Sequence, residues 1–277
     1  MLPPGLVHAP GVVDPVTALL AAAEGFGALH LSGAVASAVL LGKPDLGYVH
    51  GSDLAGLAAR ITAVVDVPLV VDADTGYGGV LQVAQTVEAY ARAGVAALHL
   101  EDQVSPKRCG HLAGKEVLDL TEAVAKVRAA VDVGAVLVIA RTDALSVHGP
   151  GEALRRATAF AEAGADLVFV EGARTAEELS AVHAAVGVGQ VLNRSEAGGA
   201  GPVLDDATLT ELGVRLVIHP VSALLAMAAA ARTAYRDIAR TGIARTGIAG
   251  GGGGLAWQEL TDLLGLPDLL ATEGGYV

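Results

Sequence analysis

The feature that most constrains this chain is a repeated junction. A helix-like stretch ends in glycine, and a short apolar run follows within a few residues. It recurs at Ala23-Glu24-Gly25 before 28–31, at Arg92-Ala93-Gly94 before 97–100, at Glu162-Ala163-Gly164 before 167–170 and at Glu211-Leu212-Gly213 before 216–218. Glycine just past a helix takes the left-handed conformation that other residues resist. Short unbroken apolar runs mark strands buried on both faces. Filling the gaps gives eight strands, starting near Leu6, Ala28, Leu69, Ala97, Val136, Leu167, Gln190 and Leu216. Helical stretches lie between them over 15–24, 53–65, 80–93, 121–131, 151–163, 175–186, 205–212 and 222–240. Such alternation implies parallel strands joined by right-handed crossovers. The expectation is an α/β fold, a (β/α)8 TIM-type barrel with a C-terminal helical extension. The alternative is an open doubly wound sheet, but no GxGxxG follows an early strand to support it.

A barrel of this kind takes about 250 residues, which a chain of 277 supplies with a short tail. The barrel is placed over 1–240. A linker follows over 241–254, where ARTGIARTGI duplicates a five-residue unit before five successive glycines. The segment 255–277 holds the single tryptophan, Trp257, and its stretch 255–270 reads as a short amphipathic helix whose apolar face packs on its own barrel or on a partner subunit. Aromatics are only 3% of a chain that is 52% hydrophobic, so the core must be built from Ala, Val and Leu.

A net charge of −12 argues against nucleic acid or an anionic membrane as partner. It leaves room for a small carboxylate, because a few local arginines outweigh the global field. One cysteine excludes an internal disulfide and fits a reducing, cytoplasmic setting. The N-terminus lacks the pattern of a signal peptide, and the most apolar run, over 221–231, is too short to cross a bilayer.

In a parallel barrel, functional residues sit where strands end. Strand 2 ends in Ser32 and Gly33, with Asp45 in its loop. Strand 3 ends in Asp72 and Asp74. Strand 4 ends in Glu101 and Asp102 and runs into Lys107-Arg108-Cys109-Gly110-His111. Strand 5 ends in Arg141 and Asp143, strand 6 in Glu171, strand 7 in Asn193 with Ser195 and Glu196 beyond, and strand 8 in His219. Singly, each acid is also readable as a helix cap or solvated loop residue. Together, Asp45, Asp72, Asp74 and Glu101 would repel one another unless a cation or protons neutralised them. Hard oxygen ligands favour Mg²⁺, or Mn²⁺. Arg141 suits a bidentate grip on a carboxylate; an ion pair with Glu171 or Asp143 is the other reading. Asn193 and Ser195 offer uncharged hydrogen bonds. Lys107 and Arg108 flank Cys109 and are expected to lower its pKa, and Gly110 and Gly114 let the loop move as a lid. An inert buried thiol is the alternative.

These motifs resemble the isocitrate lyase/phosphoenolpyruvate mutase superfamily, especially its KRCGH-containing 2-methylisocitrate lyase branch. The resemblance rests on SG at 32–33, GKPDLG at 42–47, DADTGYG at 72–78, LEDQVSPKRCGH at 100–111, ARTDA at 140–144, the Glu171 strand end and NRSEAGG at 193–199. It implies a magnesium-dependent carbon–carbon lyase that cleaves a small 2-hydroxy di- or tricarboxylate. A phosphonate mutase or hydrolase, an oxaloacetate-type decarboxylase and a non-catalytic binding relative are the alternatives. The metal would be held by Asp72, with Asp45, Asp74 and Glu101 acting through water. Ser32, Gly33, Ala34 and Arg141 would hold the α-keto acid part, and Glu171, Asn193 and Ser195 the other part. Cys109 would donate the proton, with Lys107, Arg108, His111 and Glu101 as the other catalytic candidates. The family often swaps its last helix between subunits, which implies a homo-oligomer, dimer or tetramer, through the C-terminal helices. Two departures touch the keto-acid pocket. His30 stands where 2-methylisocitrate lyases carry a tyrosine, and Gly33-Ala34-Val35 replaces three glycines.

Overall fold

The computed structural model describes residues 2–198, 203–243 and 254–276. Eight strands form one parallel sheet: β1 (Val7–Pro10), β2 (Leu29–Leu31), β3 (Leu69–Asp72), β4 (Ala97–Glu101), β5 (Leu137–Thr142), β6 (Leu167–Val170), β7 (Gly189–Asn193) and β8 (Val214–His219). Their spatial order is β1-β8-β7-β6-β5-β4-β3-β2. A bridge between Gly11 and His30, with the Val12 amide donating to the His30 carbonyl at 2.8 Å, joins the two ends. The sheet is thereby a (β/α)8 barrel rather than an open one. Gly11 is required there: a Cβ would stand 2.1 Å from the Pro220 carbonyl oxygen.

The helices between strands are α1 (Pro15–Ala23), α2 (Gly33–Ala36) with a π turn over Ser37–Leu41, α3 (Gly51–Thr62), α4 (Val80–Arg92), α5 (Leu120–Val133), α6 (Ala144–His148), α7 (Pro150–Glu162), α8 (Ala176–Ala185) and α9 (Asp206–Glu211). Their starts are locally encoded. The Asp14 carboxylate caps α1 through the Thr17 amide, and Thr175 with Glu178 forms a capping box on α8. The four junction glycines do take positive φ, from +73° at Gly213 to +99° at Gly164. The short α2 and α6 were not expected. Each lies directly after a strand end, where polar and small residues mask the apolar period.

Two apolar layers hold the barrel. Inside it, Val7, Ala28, Val70, Ile139, Phe169 and Leu216 are buried among one another. Outside it, Leu54, Ile61, Val87, Leu98 and Tyr90 pack strands against α3 and α4. Phe169 is the bulkiest of the inner set, and truncating a buried phenylalanine to alanine costs about 3–5 kcal/mol.

The first compact unit ends at Ser222. The second spans 223–277 and contains α10 (Ser222–Thr241) almost entirely, α11 (Trp257–Leu263) and α12 (Leu266–Gly274). The single helix expected over 255–270 is thus two, because Gly265 turns left-handed at φ +78° between them. Tyr235, Trp257, Leu269 and Leu270 are exposed. Of the expected linker, 244–253 lie outside the described residues. Among the described residues, no helix is long and apolar enough to cross a membrane.

Candidate active site

At the C-terminal end of the barrel lies a cavity of about 110 Å³. Ser32, Ala34, Asp45, Asp72, Cys109, His111, Arg141, Glu171, Asn193 and Ser195 all line it, with His30, His99 and Phe169. Six of the eight strands and their loops contribute to that set. Gly33, Asp74, Glu101 and Lys107 stand outside the lining; Gly33 and Asp74 touch it through Asp72, Glu101 through Arg141 and Lys107 through Asp45.

The acids occupy one wall. Asp72 ends β3, and its carboxylate accepts from the Gly33 amide and the Asp74 amide, both at 3.0 Å. Asp74 has φ +44°, a conformation that costs a non-glycine residue energy and persists where the surroundings fix it. The strain sets the Asp74 carboxylate beside that of Asp72. Gly33 allows both to approach, since a Cβ would lie 2.9 Å from Asp74 Oδ1 and 3.0 Å from Asp72 Oδ2. Lys107 Nζ reaches Asp45 at 2.6 Å and Asp74 at 2.8 Å. Burial, with Asp72 and Asp45 nearby, lifts Asp74 to about 7, Lys107 opposing. Burial would lift Asp72 too, but His99, Lys107 and Arg141 outweigh it and hold that carboxyl well below its usual range. Burial pushes Glu101 up despite Arg141, whose Nη1 is 3.2 Å away. Its Oε1 is buried with no hydrogen-bond partner among the described residues.

This wall fits a divalent cation. Of the four carboxylates, Asp45 and Asp74 pair with the Lys107 ammonium and Glu101 lies against the Arg141 guanidinium. The donors are hard oxygens, and Glu101 has one to spare. Among the described residues, no three His, Cys, Asp or Glu side chains are set to hold a metal by themselves. Mg²⁺ commonly keeps several waters and takes only one or two carboxylates directly, so a single direct ligand in Asp72 suffices.

The opposite wall holds Arg141 and the loop. Asp143 grips Arg141 at Nε, 2.9 Å, and Nη2, 3.1 Å, while Glu171 lies 3.9 Å off. The ion pair and the pocket-facing role therefore coexist. Asn193 donates to Glu171 at 3.3 Å, leaving its own buried carbonyl oxygen without a partner among the described residues. Ser195 Oγ accepts from the Ala197 amide at 3.2 Å. Cys109 is half-buried, with Sγ 3.7 Å from His111 Nδ1. Its pKa is raised, not lowered as its basic neighbours led us to expect. Burial outweighs the cations, because Lys107 is spent on Asp45 and Asp74 and Arg108 is turned outward. A thiol that stays protonated is suited to giving a proton.

Several residues in the site went unread in the sequence. His99 stands 3.3 Å from Asp72, and its Nε2 is 3.0 Å from His30 Nε2. Burial and His99 push His30 down to about 3, so the stacked pair is neutral. Gln103 bonds the Arg108 carbonyl at 2.8 Å and its amide at 2.9 Å, fixing the loop. Lys115 bonds Asp143. Of these only His99 had a signal, a polar residue inside an otherwise apolar strand; its partner His30 was already read as part of the keto-acid pocket.

A family model described as phosphoenolpyruvate phosphomutase matches residues 3–239. The chain is 36% identical to 2,3-dimethylmalate lyase of Eubacterium barkeri, over 98% of this chain and 93% of that one. It is 42% identical to 2-methylisocitrate lyase of Aeropyrum pernix, over 86% and 77%. The chain belongs to the isocitrate lyase/phosphoenolpyruvate mutase superfamily. It is a carbon–carbon lyase-type member. Within the superfamily, oxaloacetate acetylhydrolase bound to 3,3-difluorooxalacetate superposes with TM-score 0.89 at 36% identity, covering 98% of this chain and 92% of that one. Phosphonopyruvate hydrolase, in a complex with oxalate and Mg²⁺, superposes with TM-score 0.84 at 29% identity, covering 98% and 94%.

Proposed function

We propose that this protein cleaves a carbon–carbon bond of a small 2-hydroxy di- or tricarboxylate by retro-aldol chemistry, giving an α-keto acid and a second carboxylic acid. One observation carries the reading: the Cys109 thiol lines the same cavity as Asp72 and Arg141. A proton donor, a metal-binding acid and a carboxylate grip thus face one substrate.

Asp72 would hold Mg²⁺ or Mn²⁺, with Asp45, Asp74 and Glu101 acting through water. The cation, when bound, would supply Lewis-acid stabilisation of the hydroxyl and carboxylate oxygens. Ser32, Ala34 and Arg141 would hold the keto-acid fragment, with Gly33 supporting that pocket through its amide hydrogen bond to Asp72. Glu171, Asn193 and Ser195 face the other fragment. The hydroxyl proton passes to the carboxylate wall, the C–C electron pair leaves with the second fragment, and a C=O bond forms on the first. The departing enediolate then takes a proton at carbon from Cys109. His111 beside the thiol would tune that transfer, while Lys107 holds the Asp45 and Asp74 carboxylates. The Trp257 segment associates subunits into a dimer or tetramer.

The test is a metal-supplemented screen of 2-methylisocitrate, isocitrate, dimethylmalate and oxaloacetate, with products identified by mass spectrometry. A keto acid plus a second carboxylic acid from one hydroxy acid supports the reading. Turnover of oxaloacetate alone, with no hydroxy acid cleaved, overturns it in favour of the hydrolase chemistry of other superfamily members.

A further inference from the structure

The loop that carries Cys109 ends at Lys115, which the chemistry above does not use. Its ammonium donates to the Gly110 carbonyl at 2.5 Å and to Asp143 Oδ1 at 2.8 Å. The two side chains are 4% and 0% exposed. Burying an ammonium is costly unless it is paired and hydrogen-bonded, so this placement is one the fold specifies. The same Asp143 carboxylate grips Arg141 through Nε and Nη2. Asp143 is itself fixed from behind. Its amide donates to Asp102 at 3.0 Å, and Asp102 accepts from Thr142 at 2.7 Å and from Arg156 at 3.0 Å. One carboxylate at the end of β5 therefore holds both the loop and the guanidinium. The two are in close contact, because a Cβ on Gly110 would stand 2.6 Å from Arg141 Nη2.

We propose that Lys115 is a positioning residue: acting through Asp143 and the Gly110 carbonyl, it sets the Cys109 loop and the Arg141 guanidinium in one register over the cavity. Loosening either end lets the thiol drift from the group that orients the substrate. A displacement near 1 Å at a reacting group costs about 100-fold in rate. A buried ion pair serving stability alone would alter melting and leave the thiol of the folded protein as it was. The inference rests on the roles assigned above to Cys109 and Arg141.

The test compares wild type with Lys115→Met and Lys115→Arg in the full chain. The first readout is the iodoacetamide reaction of Cys109, without substrate or metal. Lys115→Met is expected to react at least about 5-fold faster, and its kcat to fall about 10- to 100-fold with KM moving much less. Lys115→Arg keeps a cation beside Asp143 and donors for Gly110, and is expected to restore slow alkylation. Equal alkylation rates in wild type and Lys115→Met overturn the proposal. If Lys115→Met does not fold, Lys115→Gln, which keeps one donor, takes its place under the same criteria. Failure of both to fold makes Lys115 a stability residue and equally overturns it. Faster alkylation without cleavage of any hydroxy acid by the wild type sinks the lyase reading and leaves the latch standing. Cleavage by the wild type with alkylation unchanged does the reverse.

Discussion

The two walls of this site are built differently. The acid wall rides on strand ends: Asp72 and Glu101 close β3 and β4, and two backbone amides fix the Asp72 carboxylate. The thiol wall is a loop, hung from the barrel by the side chains of Gln103 and Lys115 and by the Cys109 amide on the Asp45 carbonyl at 3.2 Å. A divalent cation demands fixed oxygens, which strands supply. A proton donor must admit substrate and then approach it, which a loop does better. The comparison teaches that rigidity and motion in one site are divided by element type. It also says where each kind of damage should show: in metal activation for one wall, in thiol reactivity and turnover for the other.

The strongest way to break that division is Cys109→Ser. General acid catalysis contributes about 10²–10⁴-fold, so kcat is expected to fall by that range while substrate affinity and metal activation hold. Steady-state kinetics with calorimetric binding check it, and full activity would sink the cysteine's role. Asp72→Asn strikes the other wall. It is expected to lower activity about 100-fold or more and to abolish the response to added Mg²⁺. Alkylation of Cys109 should stay within about 2-fold of wild type, because Gln103, Lys115 and the Asp45 carbonyl hold the loop directly and Asp72 reaches it only through Asp74 and Lys107. Chelation of the intact protein should reproduce the Asp72→Asn kinetics and reverse on adding metal.

Behind both walls, Asp102 joins Arg156 on α7 to Thr142 on β5 in a buried network. Arg156→Met leaves that carboxylate buried without its cation, and removing one partner of a buried pair costs about 3–5 kcal/mol. The loss should appear as a lower Tm, measured by calorimetry.

The sequence carried the barrel further than the site. Eight strands and the junction glycines were legible because burial on both faces and left-handed turns leave composition no freedom. The strand-end acids, Arg141 and the loop cysteine were legible because each interrupts an apolar run or stands alone. What stayed hidden were relations between distant positions. Lys115 looks like any loop lysine until Asp143, a distance of 28 residues along the chain, is seen beside it. Lys107 reads as a lid cation, yet it folds back to Asp45 and Asp74. The raised Cys109 pKa follows from burial, which the cations, Lys107 being engaged elsewhere, do not offset. Local charge predicts the opposite, because burial is not written locally. The break at Gly265 was missed for a simpler reason: the apolar period runs on through it.

The finest test sets two glycines against each other. At Gly33 a Cβ would press on the tips of Asp74 and Asp72, at 2.9 and 3.0 Å. At Gly110 it would press on Arg141 Nη2 and on Glu171, at 2.6 and 2.9 Å. Neither glycine has the positive φ that would strain an alanine by itself, so each methyl acts mainly through what it pushes. Gly33→Ala is expected to raise the Mg²⁺ concentration for half-activation about 10-fold, since displaced carboxylates lose the geometry the ion requires. Saturating metal should then recover most of kcat. Gly110→Ala should leave that concentration unchanged and raise KM about 10-fold by turning the guanidinium away from the substrate carboxylate. Metal titrations at saturating substrate, and substrate titrations at saturating metal, separate the two. If both alanines moved both parameters together, the walls would be one mechanical unit, and the division between strand-borne and loop-borne function would fail.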